Sequence, residues 1–177
     1  LRALPGVTDV GVVNNIPLDE GTGQGRFLTD AMASGESGAL LHRNFAGGDY
    51  FKAMGIRLIR GRVFTNGEAV TPNSSILVST SAAAQLWPGQ DPVGKVLRRS
   101  GGDSSTYIVV GEVDDVKQLD WRGDGEAIVY HALTGPTVRS WGMGSPAYVV
   151  KSVRADGLTR EVRELVRQIA PEAPVYR

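Results

Sequence analysis

One loop of this chain has the residue types and spacing of a phosphate site. Gly89-Gln90-Asp91-Pro92-Val93-Gly94-Lys95 fits GxxxxGK, a pattern whose backbone N–H groups cradle phosphate while the lysine supplies charge. Three residues spoil that chemistry. Val96 stands where a Ser or Thr hydroxyl would hold magnesium, Asp91 puts a negative charge in the cradle, and Pro92 has no N–H to offer. The order of elements is also reversed, with a helix before the loop and a strand after it. A helix-to-strand connection explains it better. Gly21-Thr22-Gly23-Gln24-Gly25 is equally glycine-rich but lacks GxGxxG spacing and a following helix, which points to a loop.

The carboxylates and histidines give no better site. Glu112, Asp114, Asp115, Asp120, Asp124 and Glu126 form an acidic stretch. Glu112 and Asp114 alternate, so on a strand they share a face and could hold a cation. A calcium loop fails because Arg122 takes the third ligand position after Asp120. Solvated strand and turn carboxylates are the simpler reading. His42 and His131 are the only histidines, and neither has a second His or Cys at zinc-ligand spacing. No GxSxG elbow accompanies the many serines. Trp87 is expected in the core, whereas Trp121 and Trp141 sit in turn-rich stretches where they could make contacts. The expectation is a chain with no catalytic residue, no metal site and no cofactor: not an enzyme.

Composition bounds the partners. The 177 residues suit one compact domain or two small lobes, large enough to fold without a metal or disulfide. Nineteen basic and nineteen acidic side chains give a formal net charge of zero, with the basic residues spread along the chain. A nucleic-acid surface needs clustered Lys and Arg, so no nucleic-acid partner is expected. Cysteine is absent, which is compatible with either side of a membrane. No run approaches the ~18 apolar residues that span a bilayer. The opening Leu1-Arg2-Ala3-Leu4-Pro5-Gly6-Val7 has the pattern of a helix end entering a strand, so a piece of a longer protein is expected.

The elements that must position these residues are short. Val7–Val13, Ala39–Ala46, Ile56–Arg60, Ile76–Val78, Val93–Arg99, Thr106–Val113, Glu126–Leu133 and Ala147–Val153 are predicted strands, rich in β-branched residues and bounded by turns. Glycine-rich residues 19–38 are predicted to be a long loop. Short helices are expected over 49–54, capped by Asp49 and stopped by Gly55, and from Ser79 or Thr80 through Trp87. In the last helix, Leu158, Val162, Leu165, Val166 and Ile169 make one apolar stripe, with Asp156 as N-cap and Pro171 at the end. Val166 to Val175 echoes Leu1 to Val7, each a helix end that feeds a strand through a proline. Two such units suggest a split βαβ lobe with the all-β stretch inserted between its parts.

A series of segments then resembles a known family. Asp49 to Phe64 (DYFKAMGIRLIRGRVF) is similar to a stretch of MacB-like permease periplasmic domains, within the MacB/FtsX family. Ile76-Leu77-Val78-Ser79, Ala82 to Lys95 with its Trp87-Pro88-Gly89 and Asp91-Pro92-Val93-Gly94-Lys95, and Tyr107 to Lys117 follow in family order. Leu158 to Val175 resembles the usual close, and Leu4 to Val7 with Ile16-Pro17-Leu18 also fits. His131-Ala132 departs where the family often has a proline.

This resemblance implies an α+β fold: a porter-like split βαβ lobe over residues 1–88 and 146–177, with an inserted small β-rich, Sabre-like lobe at 89–145. It implies the extracytoplasmic domain of an ABC transporter permease in the cytoplasmic membrane, on the periplasmic side, with flanking transmembrane helices. The domain would relay ATP-driven motion, with the ATPase a separate domain or subunit on the cytoplasmic side. Its implied partners are a second permease subunit in a homodimer, a periplasmic adaptor and secreted cargo. The rival expectation is a periplasmic ligand-binding or sensor domain, which would need an apolar pocket with convergent polar groups.

Overall fold

The computed structural model describes residues 1–18, 23–32, 36–65, 68, 74–100, 105–118, 122–123, 125–133 and 146–172. The elements are β1 (Val7–Val13), β2 (Gly23–Thr29), β3 (Ala39–Gly48), α1 (Tyr50–Met54), β4 (Leu58–Gly61), β5 (Ser74–Ser79), α2 (Thr80–Leu86), β6 (Val96–Arg99), β7 (Thr106–Val113), β8 (Ile128–Ala132), β9 (Ala147–Ser152) and α3 (Ala155–Ile169). The result is a sheet-rich mixed α/β fold.

Six strands close on themselves. The pairing runs β2-β6-β7-β5-β8-β3, and β2 also pairs with β3, which completes a ring. Pairs β5–β7 and β3–β8 are parallel and the other ring pairs antiparallel. Closure gives each of these strands a partner on both sides over part of its length, which leaves little open edge among the described residues. Each strand sends apolar side chains to one cluster: Phe27, Leu41, Ile76, Val78, Leu97, Tyr107, Val109 and Val129. Ala82, Ala83, Leu86 and Trp87 of α2 pack into the same cluster. Burying each large side chain is worth about 1.5–3 kcal/mol, so this interior is the main source of cohesion.

The outer face of the ring is covered as well. Leu77, Val113, Ile128 and Tyr130 turn away from the interior and pack with Val13, Ala46, Tyr50 and Phe51. Alternation along β5 and β8 therefore distributes apolar residues to two cores, and all five β8 residues are buried. Gly11 lets α1 approach β1, since a Cβ there would lie 2.3 Å from Tyr50 Cα.

β1, β9 and α3 form a flank beside the ring. β1 pairs with the last part of β3 on one side and with β9 on the other. β9 ends the strand order, so its outer edge has no partner among the described residues. α3 buries Leu158, half-buries Val162, Leu165 and Val166, and leaves Ile169 75% exposed.

Several expectations are corrected. Residues 19–38 are not one loop, because β2 occupies Gly23–Thr29. Gly25 is a packing residue: a Cβ there would lie 3.0 Å from Arg43 Cδ on the neighbouring strand. Asp49 sits at the α1 N-cap without a capping bond and pairs with Arg2 at 2.8 Å instead. Gly55 does stop that helix, in the left-handed conformation at φ 72°. The next strand begins at Leu58, not Ile56. Residues 93–95 are a turn with Gly94 at φ 84°, so β6 starts at Val96. Arg154, not Asp156, is the N-cap of α3, and Asp156 lies inside the helix. Every described strand from 89–145, namely β6, β7 and β8, pairs with a strand from 1–88. Val175 lies outside the described residues.

Candidate functional site

Of the residues singled out in the sequence, Asp91 and Glu112 meet at one side chain, Arg60. In the turn 89–95, Asp91 Oδ1 accepts from the Val93 N–H at 2.9 Å, and Lys95 Nζ donates to Gln90 Oε1 at 2.8 Å. Asp91 also faces Arg60 at 4.0 Å. The lysine and the backbone N–H that would meet phosphate are thus engaged inside the turn.

The acidic stretch disperses into structural contacts. Glu112 pairs with Arg60 at 3.6 Å and Asp114 with Arg57 at 3.0 Å. Asp115 receives the Ser81 N–H at 2.8 Å and its hydroxyl at 2.7 Å, which fixes the first turn of α2. Glu126 accepts the Gln118 N–H at 2.6 Å. Asp120, Asp124, Trp121 and Trp141 lie outside the described residues. No group of three or more His, Cys, Asp or Glu able to hold a metal occurs among the described residues.

The histidines go to different surroundings. His42 lies 3.2 Å from Gln24 Nε2 on the neighbouring strand. His131 faces the ring interior, stacked on Phe45 at 5.1 Å and edge-on to Tyr107 at 4.9 Å. Complete burial, aided by the charges of Arg43 and Arg99, pushes its pKa down to about 3. It is therefore a neutral aromatic wall residue near neutral pH, not a proton shuttle. Burial likewise pushes the Tyr50 phenol up to about 12 and raises that of Tyr130, so both remain neutral. Trp87 is buried in the ring core.

A buried polar construction lies at the junction between ring and flank. Gln118 is fully buried. Its Oε1 accepts from Asn44 Nδ2 of β3 at 3.1 Å, and its Nε2 donates to the Ile16 carbonyl at 3.1 Å. Its backbone carbonyl accepts the Leu18 N–H at 2.8 Å. Leu18 is the one non-glycine residue with positive φ among those described, at 66°. Nearby, Asn14 Oδ1 accepts the Phe45 N–H at 2.7 Å, which extends β1 along β3. A second buried hub is Ser79, whose Oγ accepts from Ala82 N at 3.3 Å and Ile128 N at 3.0 Å and donates to the Glu126 carbonyl at 3.1 Å. Ser79 was legible as a helix cap. Gln118 was not, because a single amide in a polar loop carries no motif.

Two open grooves lie on α3. One groove of about 610 Å³ is lined by Gly157, Thr159, Arg160, Arg163, Glu164 and Arg167. Another of about 450 Å³ is lined by Leu4, Arg160, Glu161, Glu164, Leu165 and Gln168. Both are open, and charged residues line most of the first and half of the second, unlike a pocket for an apolar ligand.

A family model described as the MacB-like periplasmic core domain matches residues 2–169. The chain belongs to this family. It is thus a periplasmic domain of the MacB-like ABC transporter permease family, whose domains are generally non-catalytic. No curated protein sequence matches. Solved structures with the same fold include the periplasmic region of MacB from Actinobacillus actinomycetemcomitans, at 18% identity and TM-score 0.62, over 95% of this chain and 70% of that one. The extracellular domain of the noncanonic ABC-type transporter YknZ from Gram-positive bacteria matches at 15% identity and TM-score 0.60, covering 96% of this chain and 80% of that one. A permease-protein domain from Porphyromonas gingivalis matches at 19% identity and TM-score 0.60, over 99% and 80%. No described helix of this MacB-like domain is long and apolar enough to cross a membrane.

Proposed function

We propose that this domain works outside the cytoplasmic membrane as a mechanical part of an ABC permease, and performs no chemistry of its own. ATP binding and hydrolysis on the cytoplasmic side would move transmembrane helices, and the domain would pass that motion to cargo, an adaptor or a second permease copy. One observation carries the reading. A single hydrogen-bonded sheet runs from the flank through β3 into the closed ring, so a displacement at β1 or β9 reaches the ring without crossing a flexible linker. The polar groups weighed as catalytic candidates are, among the described residues, engaged in holding elements together.

The lobes follow the topology on this reading. The ring with α2 corresponds to the Sabre-like lobe, and the flank belongs to the porter-like lobe. The test is a full-length permease lacking residues 49–177. Loss of transport and of transport-coupled ATP hydrolysis is expected. Unchanged transport or unchanged coupling would sink the proposal.

A further inference from the structure

We infer that Gln118 is a latch that makes ring and flank move as one body, an inference that rests on the relay reading above. The direct pairing of β1 with β3 is short, with partners Gly11–Gly48, Val12–Gly47 and Val13–Ala46. Asn14 extends this line of attachment at one end and the Asp49 N–H, donated to the Val10 carbonyl at 2.9 Å, at the other. Val13, Ala147 and Val149 add apolar contacts with the outer face of the ring, which are non-directional and leave room for a pivot. Gln118 adds a second line. Its side chain holds Asn44 of the ring with one end and the Ile16 carbonyl with the other, at 3.1 Å each.

Its backbone strengthens the same joint. The Gln118 carbonyl takes the Leu18 N–H and its own N–H goes to Glu126 Oε2. Four hydrogen bonds thus converge on one residue and reach β3, the connection after β1, and the approach to β8. Leu18 is kept at φ 66°, a conformation disfavoured for leucine, which is the mark of a segment held by its surroundings. Residues 14–18 leave the flank and Asn44 and Glu126 serve the ring, so the amide joins the two parts away from the sheet's own bonds. Full burial excludes water from competing for these bonds.

The experiment is amide hydrogen exchange on the 177-residue chain, comparing the original with Gln118→Leu and with the double variant Asn44→Leu/Gln118→Leu. The double variant leaves no buried amide unpaired at the site, so it guards against simple misfolding. In the original, β1, β9 and the Leu18 amide should exchange in step with the ring strands. In both variants, β1, β9 and residues 16–18 should exchange about 10- to 100-fold faster, while β5, β7 and β8 keep their rates. Equal acceleration of ring and flank, or no change in either, would overturn the latch. The full-length permease carrying Gln118→Leu separates this idea from the relay. Selective flank exchange with unchanged transport would uphold the latch and remove the relay reading.

Discussion

The ring and the flank are made from the same kinds of strand but are finished differently. In the ring every strand has at least two neighbours, side chains from all six strands meet in one interior, and α2 packs into it. The flank has two strands, one with an unpaired outer edge among the described residues, and a helix whose apolar stripe is covered at Leu158 and bare at Ile169. A closed structure resists deformation because any change in one strand must be matched around the circuit. An open one keeps surface for contact. A closed body latched to a flank with free surface is the arrangement that the proposed relay would need.

The contrast can be broken most forcefully inside the ring. Phe27→Ala removes a fully buried side chain from its interior and should cost about 3–5 kcal/mol, read as a drop in the urea midpoint. Leu165→Ala on α3, a half-buried position, should cost under ~1 kcal/mol in the same assay. Equal losses would mean that the two regions are not mechanically distinct.

His131 gives the ring an acid weakness. Its folded pKa is depressed to about 3 from an ordinary 6.5, because the buried pocket favours the neutral form. Its contribution is complete above pH 6.5 and is lost as the pH falls toward 3, by at most about 5 kcal/mol. His131→Leu should therefore flatten the loss of stability between pH 7 and pH 4. An unchanged acid slope would show that other groups govern acid unfolding. Ser79→Ala removes a buried hydroxyl serving three partners and should cost about 2 kcal/mol by thermal melting. Asp114→Asn, at an exposed ion pair with Arg57, should leave the melting temperature within error.

Much of the fold was legible because its signals are local. Alternating β-branched runs located β1, β3, β5, β7, β8 and β9, and the spacing Leu158-Val162-Leu165-Val166 located α3. Gly23 and Gly25 hid β2, since glycine that makes room for an arginine looks the same in sequence as glycine that makes a turn. Asp49 was placed rightly at the N-cap, but whether a cap side chain bonds the helix depends on its competing partners, and Asp49 had Arg2. Ring closure was out of reach altogether. It depends on pairings such as His42 with Ile128, which no local pattern encodes. The mimic at Gly89–Lys95 was judged from three residue types, and the turn's internal bonds now supply the geometric reason.

The parallel seam between β3 and β8 has a consequence for how the molecule is made. β3 emerges early in synthesis and must wait for β8, the last ring strand in chain order, before the circuit can shut. Until then β2, β3, β5, β6 and β7 can pair only into an incomplete curl with raw edges. Joining ends so distant in sequence is entropically slow, and the waiting species is the one most open to wrong partners. Biogenesis of this domain should be most vulnerable in the interval between the appearance of Ala39 and that of Ala132. Damage to β8 would then appear first as lost yield, before any transport defect could be measured.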